Sequence, residues 1–497
     1  MENVTILLGL LFIWILVYGV MSLGRSKNKK RLAPGPFPLP IIGNLHLLGD
    51  KPHISLAKLS KIHGPIMNLK LGQINTVVIS SSVLAREVMQ KRDLAFANRS
   101  VADALRARNH SDFSVVFLPV NSRWRTLRKI MNSNIFSGNK LDANQHLRTK
   151  KIQELVDHCH KSAKNGETVD IGRAAFRTSL NLLSNTIFSK DLSDPFSDSA
   201  KEFKDLVWGI MVEAGKPNLV DYFPFLVKID PQGIRRRMTD HFTKILDLMS
   251  GLIDERLKER KLRNHANVDV LDALLNISHD SPEELDRNLI EQMCLDLFAA
   301  GTDTTSNTLE WAMAELLQNP HILEKAQEEL AQMIGRGKLV DEADIAQLPY
   351  LRCIVKETLR IHPALPFLIP RKVEEDVELC GYIVPKDSQV LVNVWAIGRD
   401  SGLWENPLVF KPERFWESEI DVRGQDFELI PFGAGRRICP GLPLAIRMIP
   451  VALGSLLNTL NWKLQGGIAP KDLDMEEKFG ITLGKAQPLL ATPLIPL

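Results

Sequence analysis

One cysteine, Cys439, stands in the run Phe432-Gly433-Ala434-Gly435-Arg436-Arg437-Ile438-Cys439-Pro440-Gly441. A thiolate is a soft, electron-donating metal ligand, and on haem iron it favours O–O cleavage. The neighbouring residue types suit that use. Glycines adopt φ > 0 and let a backbone approach a flat macrocycle closely. Arg437, two residues before the sulfur, is within reach of an anionic side arm such as a haem propionate. Gly441 opens the apolar run Leu442–Leu456, which predicts a helix whose first amides favour a thiolate charge. Three other readings of a single cysteine stand beside this one: a buried inert thiol, a zinc ligand and half of a disulfide. The five cysteines, at 159, 294, 353, 380 and 439, form no C-x-x-C and no C-x-x-C-H. That counts against paired zinc ligands and covalent haem attachment, and sparse cysteine suits a reducing compartment.

Three further constellations have chemistry-bearing spacing. Leu297-Phe298-Ala299-Ala300-Gly301-Thr302-Asp303-Thr304-Thr305 places small residues, an acid and hydroxyls inside a long helical pattern. Such a notch suits either close helix packing or a flat cofactor with room above it, where Asp303 and Thr304 could move protons. Glu357 and Arg360 lie three apart on an apolar-flanked helix, and Arg414 in Pro412-Glu413-Arg414-Phe415 is the expected third member of a buried ionic group. Trp124 and Arg128 lie four apart on one helix face and offer two donors, and Arg371 after Pro370 offers another. His158-Cys159-His160 lacks a second half for a metal site and reads as a helix end, Arg235-Arg236-Arg237 as a charged helix face, and Gly335-Arg336-Gly337-Lys338 as a turn.

These residues need a large scaffold. The 497 residues are 44% hydrophobic and 24% charged with net charge +3, with no basic stripe for nucleic acid and no internal repeat. Val4–Leu23 carries no charge over twenty residues and is followed by Arg25, Lys27, Lys29, Lys30 and Arg31. This predicts an uncleaved membrane anchor over 1–31 with its basic end cytoplasmic. Four prolines between Pro34 and Pro40 predict a stiff extended hinge over 32–44. Over 45–497 the pattern predicts one mainly α domain with a small β subdomain. The expected elements are a β-hairpin at Ile66–Ser80, helices around Leu147–His160, Asp240–Leu262 and Leu285–Gln318, and strands at Arg371–Glu378, Gln389–Val394, Trp462–Leu464 and Phe479–Leu483.

The Cys439 run matches F-x-x-G-x-R-x-C-x-G, and the chain thereby resembles the plant microsomal cytochromes P450. The A-G-T-D-T-T-S, E-x-x-R, P-E-R-F and W-x-x-x-R runs and the proline hinge resemble the same family. The resemblance implies the cytochrome P450 fold, with haem b held by Cys439 as axial iron ligand. Phe432, Gly441, Trp124, Arg128, Arg371 and Arg437 would contact that haem. It implies proton delivery by Asp303 and Thr304, and a structural triad of Glu357, Arg360 and Arg414. Phe113, Val116, Phe117, Phe298, Ala300, Thr305, Leu365, Phe367 and Phe479 would line the substrate pocket. It further implies an NADPH-dependent monooxygenase fed by NADPH-cytochrome P450 reductase, anchored in the endoplasmic reticulum bilayer and acting with O2 on a small apolar terpenoid. Segments such as Asn218-Leu219-Val220-Asp221 and Met475–Leu483 resemble members that oxidise an acyclic monoterpene alcohol at its terminal allylic methyl; the alternatives are another prenyl chain such as geranylhydroquinone and, from another class, a haem-thiolate isomerase or a non-catalytic haem protein. One departure is His362-Pro363-Ala364, where the family commonly has His-Pro-Pro; it bears on the pocket near Leu365.

Overall fold

The computed structural model describes residues 9, 31–192, 198–263 and 269–496. Apart from Gly9, the expected anchor Val4–Leu23 lies outside them. The longer helices are α1 (Pro52–His63), α2 (Ser122–Asn134), α3 (Gln145–Asn165), α4 (Ile171–Phe188), α5 (Asp198–Gly215), α6 (Ile234–Arg263), α7 (Val270–Asp280), α8 (Arg287–Gln318), α9 (Pro320–Met333), α10 (Pro349–Ile361) and α11 (Leu442–Thr459). The 32-residue α8 is capped by Asp286, which accepts from the Leu289 amide at 2.8 Å, and spans roughly 48 Å. It is the central beam: α4, α5, α6, α9, α10 and α11 all pack on it. Its mixed small and large apolar residues are buried nearly all round, as a core helix requires. Among the described residues only α11 is long and apolar enough to cross a membrane, and 72% of it is buried in the core.

The main sheet joins β1 (Ile66–Leu71), β2 (Ile74–Ile79), β3 (Asn98–Arg99), β4 (Arg371–Lys372) and β5 (Gln389–Val392) in the order β1-β2-β5-β4-β3. β2 and β5 run parallel, with Thr76 opposite Gln389, and the other pairs are antiparallel. The proline segment is extended but docked on this sheet: Asn68 donates to the Pro34 carbonyl at 2.9 Å, and Asn44 to the Pro36 and Phe37 carbonyls.

Two expected strands differ. Arg371–Glu378 is broken after Lys372, because Asp376 accepts from the Lys386 amide at 2.9 Å and turns the chain into a separate hairpin, Val377–Leu379 with Tyr382–Val384. Phe479–Leu483 is the loop between the paired strands Glu477–Lys478 and Gly484–Lys485, not a strand itself.

One buried acid sets a pH dependence. Glu310 on α8 accepts from the Leu489 amide at 2.9 Å. Burial outweighs that bond and pushes its carboxyl up to about 7. Unfolded, it titrates near the ordinary carboxyl value of about 4.3. The folded state therefore holds a proton that the unfolded state has lost, and stability falls as pH rises through this window. Glu310→Gln should remove that loss, stabilising by at most roughly 4 kcal/mol at about pH 8 and by roughly 1 kcal/mol at about pH 5. Thermal midpoints at the two pH values check it.

Candidate active site

The Cys439 loop is closed by the Cys439 amide donating to the Phe432 carbonyl at 3.0 Å. Gly433 and Gly435 have φ of +70° and +67°, and a Cβ on Gly435 would overlap the Met89 carbonyl oxygen. The turn therefore requires glycine there. Phe432 and Gly441 are half-buried beside it. Burial pushes the Cys439 thiol up, against the pull of the Gly441 amide, Arg128 and the Leu442 amide. Amides aimed at the sulfur, with a net bias towards the thiol, suit a thiolate completed by a cationic metal. The other cysteines differ: Cys159 and Cys294 are buried with thiols pushed up to about 12, Cys353 is buried and Cys380 is exposed. All five are free, and the described residues hold no cluster of three metal-binding side chains.

Four guanidinium groups crowd the approach to this loop. Arg99 and Arg371 are cross-strand partners on β3 and β4, a like-charge pairing that destabilises a sheet. Burial lowers the pKa of both. Arg371 and Arg437 are held down to about 10 and about 9 by burial, and Arg371 and Arg128 add to the effect on Arg437. Their donors meet only carbonyls: Arg99 that of Ile369, Arg371 that of Phe96, Arg437 those of Ala97, Val115 and Leu118, and Arg128 that of Ile438. The buried Arg99 Nε has no partner. Desolvated cations hydrogen-bonded only to carbonyls are costly unless an anion completes them, and haem propionates would supply such anions. The Trp124 indole donates to the Val115 carbonyl at 3.1 Å, and its ring lies 4.6 Å below the Arg437 guanidinium. Arg371→Met should speed haem transfer to apomyoglobin about tenfold, the effect of losing one charge-assisted hydrogen bond; an unchanged rate would exclude propionate binding by Arg371.

Mid-way along buried α8, Ala300 is exposed and Thr304, one turn on, is half-exposed. This is an opening in a core helix, and α8 packs on α11, which starts beside Cys439. The notch is divided in function. A Cβ on Gly301 would come within 2.9 Å of Leu183, so Gly301 serves helix packing, whereas Ala300 and Thr304 face the open space. Thr304 donates to the Ala300 carbonyl at 2.8 Å and Thr305 to that of Gly301 at 3.1 Å; such back-bonding bends helices. Asp303 is 3% exposed, and burial raises its pKa against hydrogen bonds from Thr482 and Asn307.

Phe113, Val116, Phe117, Leu365 and Phe479 are half-buried, Phe367 lies against the Phe479 ring at 6.0 Å, and Thr305 is half-buried on α8. Phe298, expected in the pocket, instead sits fully buried between Phe188 and Phe203, at ring distances of 6.1 and 5.1 Å, and belongs to the helical core.

The Cytochrome P450 family profile matches residues 33–490, nearly the whole chain. The chain is a cytochrome P450. It is 70% identical to geraniol 8-hydroxylase of Catharanthus roseus and 68% to that of Swertia mussotii, each over 99% of both chains. It is 55% identical to geranylhydroquinone 3''-hydroxylase of Arnebia euchroma, again over 99% of both. As a member of this family it is a haem monooxygenase supplied with electrons from NADPH through a reductase.

The P450 buries Glu357 completely between Arg360, with Oε2–Nε at 2.7 Å, and Arg414, with Oε1–Nε at 3.0 Å. The Lys411 amide donates to Glu357 as well, and Arg360 reaches the Gly398, Pro407 and Val409 carbonyls.

Three groups escaped the sequence reading. Arg99 had no helical spacing to mark it. Asp296 on α8 accepts from Ser114 Oγ at 2.7 Å and the Val115 amide at 2.9 Å, and lies 3.2 Å from His110, which pins the Phe113–Phe117 loop. Glu477 lies 2.8 Å from His53 Nε2 and accepts from Trp395 Nε1 at 3.1 Å. Burial of Glu477 is outweighed by His362 and His53, which hold its carboxyl far below the usual range. A lone acid in Glu476-Glu477-Lys478 gives no local sign of this.

Proposed function

We propose that this P450 hydroxylates an acyclic monoterpene alcohol, geraniol or nerol, at its terminal allylic methyl carbon. The observation that carries the reading is the full-length 70% identity to a geraniol 8-hydroxylase. The half-buried apolar side chains of Phe113, Val116, Phe117, Leu365 and Phe479, with buried Phe367, match a small apolar chain. A geranylated hydroquinone is the second reading, favoured by the relative named for it.

Bound haem supplies the activation of dioxygen and the insertion of one oxygen atom. The chain's residues supply the rest. Cys439 would hold the iron through its sulfur, with the Gly441 and Leu442 amides and Arg128 favouring the negative charge. Arg99, Arg128, Arg371 and Arg437, with Trp124, would hold the propionates, and Phe432 and Gly441 bound the loop. The apolar wall orients the substrate methyl and excludes water. Burial raises the Asp303 pKa, which suits this acid to supply protons by way of the Thr304 hydroxyl, its neighbour in sequence. Glu357, Arg360 and Arg414 hold α10 against the segment Gly398–Arg414. Thr304→Ala should uncouple the enzyme: NADPH consumption continues, peroxide replaces product, and the ratio of product to NADPH falls roughly 10²-fold. An unchanged ratio would leave Thr304 a packing residue.

The charge-free span and its basic flank support an anchor over 1–31 in the endoplasmic reticulum membrane, with the hinge over 32–44 and the catalytic domain over 45–497 on the cytoplasmic side. Release of the intact chain from microsomes by alkaline carbonate would contradict this. Incubation with reductase, NADPH and geraniol, nerol or geranylhydroquinone tests the substrate. Turnover of the free alcohols above the hydroquinone supports the first reading, and the reverse order supports the second.

A further inference from the structure

Asp303 and the wall of the substrate pocket meet at one hydrogen bond. The Thr482 hydroxyl donates to Asp303 Oδ2, and Asn307 Nδ2 donates to the same oxygen at 3.2 Å. Among the described residues no donor reaches Oδ1. With Oδ2 occupied by two donors, a proton taken up by the carboxyl goes to Oδ1, so these donors fix the direction in which the acid can donate. Asn307 is one turn along α8 and moves with Asp303. Thr482 comes from a segment 179 positions away.

That segment is short and held at both ends. Upstream, Glu477 is fixed by His53 and Trp395. Downstream, the Leu483 amide donates to the Ala364 carbonyl at 2.8 Å, and the Leu483 carbonyl accepts from Trp311 Nε1 at 3.2 Å. Between them, Phe479 stacks on His53 at 5.5 Å, and Gly215, at the end of α5, admits the loop so closely that a Cβ would lie 2.8 Å from the Ile481 nitrogen. Only two residues, Gly480 and Ile481, separate Phe479 from Thr482, so a displacement of the ring has a short path to the relay contact.

We propose that Thr482 is a positioning residue for Asp303: its hydroxyl sets the carboxyl's orientation and ties it to the pocket wall, so that the seating of substrate against Phe479 governs the aim of the acid. This rests on the proposed relay role of Asp303, and the experiment separates the two. Product formed per NADPH consumed is measured for wild type, Thr482→Val, Thr482→Ser and Asp303→Asn. Hydrogen–deuterium exchange of residues 479–486 is followed in the resting ferric protein for wild type, Thr482→Val, Asp303→Ala and the double variant. Thr482→Val should lower the ratio about tenfold, the effect of losing a hydrogen bond to an ionisable partner, with the thermal midpoint nearly unchanged, and Thr482→Ser should recover most of it. Exchange in the segment should rise equally in Thr482→Val and Asp303→Ala and no further in the double variant. A valine variant with the wild-type ratio, or with unchanged exchange, overturns the proposal. If Asp303→Asn also keeps the wild-type ratio, the relay reading falls with it; if Asp303→Asn uncouples and Thr482→Val does not, only the positioning role falls. Should the valine variant fold poorly, Thr482→Cys, similar in size and a weak donor, carries the same test.

Discussion

Cys439→His is expected to abolish hydroxylation while leaving most of the polypeptide fold in place. The loop is shaped by Gly433, Gly435 and the Cys439–Phe432 backbone bond, none of which needs the sulfur. The sulfur's partners, by contrast, are specific to a thiolate. The Gly441 and Leu442 amides and Arg128 all favour negative charge at that position, and a neutral imidazole offers none. Loss of the electron-donating ligand removes the push that favours O–O cleavage. The reduced, CO-treated variant should lack the long-wavelength band of a haem-thiolate, and product should fall to background. Retention of that band with histidine at 439 would move the ligand elsewhere.

Glu357→Ala should be the most destabilising single change outside the haem loop. Glu357 and Arg360 are fully buried, and the Arg414 side chain is nearly so. Removing the one carboxylate leaves two buried guanidinium groups with carbonyls and the Trp404 ring as partners. Breaking a buried ion pair costs about 3–5 kcal/mol, a large part of the roughly 5–15 kcal/mol that holds a domain together. The variant should purify with little haem and a thermal midpoint well below wild type. A midpoint within a degree or two would mean that this group does not stabilise the fold.

The legible parts of the site were those whose partners are close in sequence. Cys439, Gly435 and Arg437 share one tight loop, and Glu357 and Arg360 share one helix turn, so spacing alone places them together. The illegible parts are contacts between distant segments. Arg99 pairs with Arg371 across a two-residue ladder, Thr482 meets Asp303, and His53 meets Glu477, and no local periodicity encodes such meetings. Face assignment within a recognised helix was also underdetermined. Ala300 and Gly301 are equally small, yet one faces open space and the other Leu183, and Phe298 turns into an aromatic core. Strand reading failed where acidic turns and Gly480 interrupt apolar alternation. The long α8 and the hairpin at 66–79 were recoverable because each carries its own repeat over many residues.

Insertion of one atom of dioxygen at the terminal allylic methyl of an acyclic monoterpene alcohol is the reaction proposed for this P450. Turnover of geraniol with reductase and NADPH under isotopically labelled dioxygen tests it directly. The expected result is an NADPH-dependent product carrying a single labelled oxygen, located at the terminal allylic carbon. A product without label, label at another carbon, or NADPH consumption with no geraniol oxidised would contradict it.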